Sequence, residues 1–161
     1  MTSMAATQAT NDLSYLLDHT SHVLRTQMSA RLAEIGMTPR MHCVLVHSLE
    51  EERTQAQLAE IGDMDKTTMV VTVDALEEAG LAERRPSSHD RRARIIAATE
   101  KGAQVAVESQ KIVDSVHNDA ISSLPKADQK ALLHALNLLV EGHLSTPAES
   151  PRPARRARQS K

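Results

Sequence analysis

Asp90-Arg91-Arg92-Ala93-Arg94-Ile95-Ile96-Ala97-Ala98-Thr99-Glu100-Lys101-Gly102 decides how this chain is read. An aspartate and arginines make a polar turn, a short apolar run follows, and Thr99 then offers a hydroxyl to cap a helix. Upstream, Leu81 to Arg85 forms a second short run. The turn-rich Pro86-Ser87-Ser88-His89-Asp90-Arg91-Arg92 separates it from Arg94 to Ala98, so the pair predicts a β-hairpin. Between Arg84 and Arg94 that hairpin carries five arginines against a single acid.

Working back from the hairpin, the residues predict helices. Met69, Val73 and Leu76 form one apolar stripe of a helix that Asp65 caps and that ends near Gly80. Thr67, Thr68, Val71, Asp74, Ala75 and Glu78 lie on its other side. Before it, Thr54 caps a short helix through Gln55-Ala56-Gln57-Leu58-Ala59-Glu60-Ile61, with Gln57 placed to reach back in a capping box, and Gly62 stops it. Two short helices joined by a glycine-containing turn are the sequence form of a helix-turn-helix. Alone, this pattern is equally that of an amphipathic core helix. The adjoining basic hairpin favours a winged helix-turn-helix that grips duplex DNA.

On that reading the first turn of the helix after Asp65 enters a major groove and presents Thr67, Thr68 and Val71 to base edges. Lys66 meets phosphate, and Gln55 is a further backbone contact. Arg91 and Arg92 at the wing tip suit a narrow, electronegative minor groove. Asp90 shapes the turn through an Asx-type bond and orients one of them, whereas Arg84, Arg85 and Arg94 on the stem face phosphates.

The rest of the chain supports a helical protein. A first helix runs from about Asn11 through Leu13, Leu16, Leu17, Val23, Leu24, Met28, Leu32 and Ile35 to Gly36. Thr38-Pro39 opens a second, Thr99 a fifth lasting until about Ser122, and Pro125 a sixth. Leu132, Leu133, Leu136, Leu138, Leu139 and Val140 make the sixth apolar on more than one face. Such a helix needs cover on more than one side, and the first, fifth and sixth helices achieve this most economically on a second copy. The expected fold is mainly α with a small β-hairpin wing, dimerised through its N- and C-terminal helices. Residues 1–10 are expected to be a flexible N-terminus, 11–36 a dimerisation and ligand-cleft helix, 37–98 the DNA-binding lobe, 99–143 the C-terminal dimerisation helices, and 144–161 a disordered basic tail.

Composition narrows the classes. The 161 residues include one Tyr and no Phe or Trp, so there is no stacking platform for single-stranded nucleic acid. The formal net charge is −2, but the last eleven residues hold five of the 19 basic groups and none of the 21 acids, leaving −7 on residues 1–150. A body of that sign repels duplex DNA except where arginine is presented. A single Cys excludes an internal disulfide and suits a reducing compartment. With no leader-like start and no long apolar run, a cytoplasmic protein is expected, nucleoid-associated when bound to DNA. No nucleophile, base and acid set and no Gly-rich phosphate loop occurs, so no catalytic residue and no cofactor is assigned.

The ordered set Thr54-Gln55-Ala56-Gln57-Leu58-Ala59, Asp65-Lys66-Thr67-Thr68-Met69, Val73-Asp74-Ala75-Leu76-Glu77-Glu78-Ala79-Gly80-Leu81 and Asp90 through Gly102 resembles the MarR-type winged helix-turn-helix transcriptional regulators over roughly residues 11–142. The resemblance implies a homodimer made by the terminal helices, binding to a palindromic operator, and control by a small ligand held between the dimer interface and the DNA-binding lobe; the expected function is that of a ligand-responsive repressor. Ligand would then favour a dimer whose lobes miss the operator spacing. Position 71, often arginine in such proteins, is Val here, and position 75, often basic, is Ala.

The resemblance also points to a cleft between the first, second and fifth helices, where His22, Arg25, Arg40 and His42 can receive a carboxylate, which favours a small organic acid as effector. Two other signals remain open. His19 and His22 have i, i+3 metal-ligand spacing but lack further ligands nearby, so no metal site is assigned. Cys43 suits an inert core thiol or a redox sensor. A winged helix serving only as a protein-interaction module is the remaining alternative.

Overall fold

The computed structural model describes residues 12–148. The expected flexible N-terminus, residues 1–10, lies outside them, as does most of the basic tail, from residue 149 onward. The chain divides into two compact units at Ala120/Ile121.

The first unit holds α1 (Leu13–Ala33), α2 (Pro39–Glu50), β1 (Arg53–Thr54), α3 (Gln55–Ile61), α4 (Lys66–Glu78), β2 (Ala82–Pro86), β3 (Arg94–Ala98) and most of α5 (Glu100–Ser122). Helices α2 to α5 start where the sequence placed a cap, and α1 starts on a cap that the sequence reading did not name. Asp12 accepts from the Tyr15 amide, and Thr38 accepts from Met41 with Pro39 in the first helical turn. Thr54 and Gln57 close the reciprocal capping box, the Thr54 amide donating to Gln57 Oε1 at 2.8 Å. The Gly102 amide donates to Thr99 Oγ1 at 3.0 Å to open α5.

The helix ends are equally local. Gly36 takes a left-handed φ of 71°, and the Met37 amide returns to the Leu32 carbonyl. Gly80, at φ 69°, repeats the device for α4, with the Leu81 amide on the Leu76 carbonyl. The end of α3 departs from expectation. Gly62 has an ordinary φ of −90°, and the left-handed residue is Asp63 at 48°, with the Met64 amide returning to Ala59. A Cβ on Gly62 would meet the Met64 methyl and, at 3.3 Å, Cys43 Sγ, so the glycine serves close packing instead.

The hairpin is a three-stranded antiparallel sheet in the order β1-β3-β2, with Arg84 opposite Ile96 and Arg85 opposite Ile95. The two-residue β1 was not legible as a strand. It pairs Arg53 with Ile96 and so joins the wing to the start of α3. The core is aliphatic and thioether-rich: Leu32, Met37, Val44, Leu45, Leu58, Met69, Val73, Leu76 and Ile96 are all at most 2% exposed. The predicted stripe of α4 therefore supplies three of its members, joined by Thr72, whose hydroxyl donates to the Thr68 carbonyl at 2.8 Å.

The second unit contains α6 (Lys126–Glu141), preceded by Pro125 and without a side-chain cap. None of its residues is buried, and Leu132, Leu133, Leu138 and Val140 are exposed. In α1, Leu13, Tyr15, Leu16 and Val23 are exposed as well.

Candidate nucleic-acid interface

The N-terminal turn of α4 is built by Asp65. Its Oδ1 accepts the Thr68 amide at 2.8 Å and its Oδ2 the Thr68 hydroxyl at 2.7 Å. These bonds hold the carboxyl below the usual aspartate range, the backbone bond from Thr68 first. Thr68 is therefore fixed, and its hydroxyl reaches a further partner only as an acceptor. Beside it Lys66, Thr67 and Val71 stand exposed, Val71 at 63%. With Met69, Val73 and Leu76 anchored in the core, the exposed edge of α4 is held rigidly outward.

The wing tip is ordered by the same residue type. Asp90 Oδ1 accepts the Arg92 amide at 2.9 Å and its carbonyl accepts the Ala93 amide at 2.9 Å, the Asx turn expected from sequence. The carboxylate thus orders the Arg92 backbone. Arg85, Arg91, Arg92 and Arg94 are exposed, and none of them belongs to an ion pair among the described residues.

Two braces were missed from sequence. Glu52, between α2 and β1, accepts the Ser87 hydroxyl at 2.6 Å and the Ser88 amide at 3.0 Å. Both serine bonds depress its carboxyl, Ser87 first. Arg84, expected to face phosphate, is turned onto the lobe instead: it pairs with Asp74 at 2.8 Å and with Glu77, and its Nε donates to Gln55 Oε1 at 3.4 Å. Glu77 also accepts the Arg84 amide at 2.9 Å. One guanidinium therefore ties β2 to α4 and to the start of α3, and it occupies one polar atom of Gln55. Partners 29 to 36 residues apart leave no signature in spacing.

The four residues assigned to an effector cleft separate. Arg25 and Arg40 come together with Pro39 on the walls of two cavities, of about 430 Å³ and about 390 Å³. The first continues to Met28, Cys43 and Met64, the second to Ser29, Val71, Thr72 and Ala75. These cavities lie among α1, α2 and α4, whereas the expected third wall was the fifth helix. His42 does face α5. Its Nδ1 lies 2.8 Å from Ser109 Oγ, and because that hydroxyl donates to the Ala106 carbonyl at 3.0 Å, the imidazole is the donor. Burial, then the charge on His47, pulls its pKa below 6.5. His22 is exposed and lines neither cavity.

The other chemistry finds little support. Burial, with the nearby Asp63 and Glu50 carboxylates, raises the Cys43 thiol, opposite to what a reactive thiolate needs. His19 stacks on Tyr15 at 5.4 Å. Among the described residues no group of three or more His, Cys, Asp or Glu is placed to hold a metal ion, and no helix is long and apolar enough to cross a membrane.

A capped helix with a free outer edge, set beside a hairpin whose apical arginines, Arg91 and Arg92, are in no ion pair among the described residues, defines a winged helix-turn-helix protein. Residues 35–93 match the model of the MarR family. CouR from Rhodococcus jostii RHA1 bound to p-coumaroyl-CoA is 26% identical, with a TM-score of 0.75 over 88% of this chain and 98% of that one. The transcriptional repressor CouR bound to a 23-mer DNA duplex is also 26% identical, at 0.70 over 82% and 94%. A transcriptional regulator of the MarR family from Rhodococcus sp. RHA1 is 26% identical, at 0.72 over 81% and 93%. The chain is thus similar to the MarR family of transcriptional regulators over residues 35–93 and shares the winged-helix fold of these structures.

Proposed function

We propose that this protein is a ligand-responsive repressor that binds a palindromic operator as a homodimer. The observation that carries the reading is the contrast within the wing. Arg84 is neutralised by the lobe's own carboxylates, while Arg91 and Arg92 at the apex are held out unpaired on an Asx turn. In a body with an acidic balance, unpaired guanidinium groups at a hairpin apex suit the minor groove. CouR, of similar fold, is known bound to a DNA duplex.

Each protomer would place the first turn of α4 in a major groove, two such grooves lying about 34 Å apart on one face of the duplex. Lys66 and the amides at the helix start meet phosphate, with Thr67, Thr68 and Val71 toward base edges. Arg85 and Arg94 flank the wing as phosphate contacts. The exposed leucines of α6 and the apolar face of α1 supply the surface for the second copy.

Arg25 and Arg40 make the paired cavities an anion site, and the apolar wall of Met28 and Met64 suits an organic acid or its thioester. CouR bound to p-coumaroyl-CoA supports that class. A gel shift with the DNA upstream of the protein's own gene tests the reading. A retarded complex that organic anions dissolve is expected, and no complex at low salt contradicts it.

A further inference from the structure

The effector cavity and the face proposed for DNA meet on one side chain. Val71, 63% exposed, is the residue that α4 offers to base edges, and it also lines the cavity of about 390 Å³ together with Ala75. The opposite wall is Arg25 and Ser29 of α1 with Arg40 of α2. Arg25 donates to Ser21 Oγ at 3.1 Å, and neither arginine is in an ion pair among the described residues. Because Arg25 and Arg40 also line the cavity of about 430 Å³, the two spaces run on either side of one pair of guanidinium groups.

We propose that the effector is an extended organic anion that excludes DNA directly. Gripped at its centre by Arg25 and Arg40, it reaches toward Met28 and Met64 at one end and lies on Val71 and Ala75 at the other. The operator must cover that same surface, so the site holds effector or duplex and not both. The inference rests on the reading of α4 as the helix that enters the major groove. It replaces remote control through lobe spacing. Ligands that share a surface compete without limit, whereas a ligand acting through a conformational equilibrium reaches a plateau set by its coupling free energy. Negative charge on this face also repels approaching phosphates.

The test fills the cavity without needing the natural effector. Ser29 is exposed and lies on the wall away from DNA, so Ser29→Cys in a Cys43→Ser background leaves the fold intact and gives one thiol for 2-sulfonatoethyl methanethiosulfonate. Binding to the duplex recovered by in vitro selection is then measured before labelling, after it, and after thiol reduction. The expected result is at least tenfold weaker binding on labelling, which is about 1.4 kcal/mol, restored by reduction. The small-angle scattering curve should not change. Gln27→Cys, exposed and outside the cavity, should bind equally well with or without the label. Retained binding by labelled Ser29→Cys, or a loss accompanied by a changed scattering curve, overturns direct exclusion while leaving the DNA reading standing. Failure of the unlabelled and natural proteins alike to bind any duplex overturns both.

Discussion

A methyl group built on Gly102 would collide with the carbonyl oxygen of Leu81. That oxygen already accepts the Thr99 amide at 3.0 Å, the Thr99 hydroxyl donates to the Gly80 carbonyl at 2.8 Å, and Lys101 Nζ donates to the Ala79 carbonyl at 3.0 Å. The end of α4, the root of the wing and the start of α5 are thus joined through one turn of backbone, which no rotamer change can relax. Gly102→Ala should cost about 3 kcal/mol, at the upper end of overpacking. Gly80→Ala meets open space and pays only for its left-handed backbone, about 1 to 2 kcal/mol. Urea unfolding of the two variants checks the order.

Arg91→Ala and Arg92→Ala should each weaken operator binding by about 1 to 3 kcal/mol and reduce the salt slope by about one. Arg84→Ala should instead loosen the wing and weaken binding with the slope unchanged, because its guanidinium sits on Asp74 and Glu77. Anisotropy titrations across a salt series separate the two classes of arginine.

If α4 enters the major groove as proposed, Val71 brings methyl groups to base edges where an arginine would read guanine. Discrimination then falls on thymine methyl contact, on Thr67 and Thr68, and on groove shape, so the operator core should lean to A·T. In vitro selection checks this, and guanine recovered opposite residue 71 would contradict it. Val71→Arg should shift the selected base at that position toward guanine.

His42 makes stability depend on pH. Burial favours its neutral form, so its folded pKa lies below the 6.5 of the unfolded chain, and between the two the unfolded state binds more protons. Stability from this group is complete above 6.5 and lost as pH falls through the folded value. Urea midpoints across about pH 5 to 8 should fall on the acid side in the natural protein, and this part of the slope should vanish in His42→Gln.

What was legible in the sequence was local. Thr38, Thr54, Asp65 and Thr99 cap helices because a short side chain reaches an amide three residues on, and Gly36 and Gly80 mark ends because only glycine takes a left-handed backbone freely. The Asx turn at Asp90 is of the same kind. The parts that escaped are made by distant partners. Arg84 looked like a phosphate contact until Asp74 and Glu77 were seen beside it, Glu52 gave no sign of bracing Ser87 and Ser88, and β1 is too short to show periodicity. The cavities that Arg25 and Arg40 line are closed by α4 where the fifth helix was expected, because His42 and Arg40, close in sequence, project to different sides of α2.

Hydroxyl-radical footprinting on the selected duplex tests the central claim most directly, that α4 and the wing of each protomer together grip B-form DNA. The pattern should be two-fold symmetric, with outer minor-groove protections that disappear in Arg91→Ala/Arg92→Ala while the inner ones persist. Protection on one half-site alone, or outer protections unaffected by removing both arginines, would contradict it.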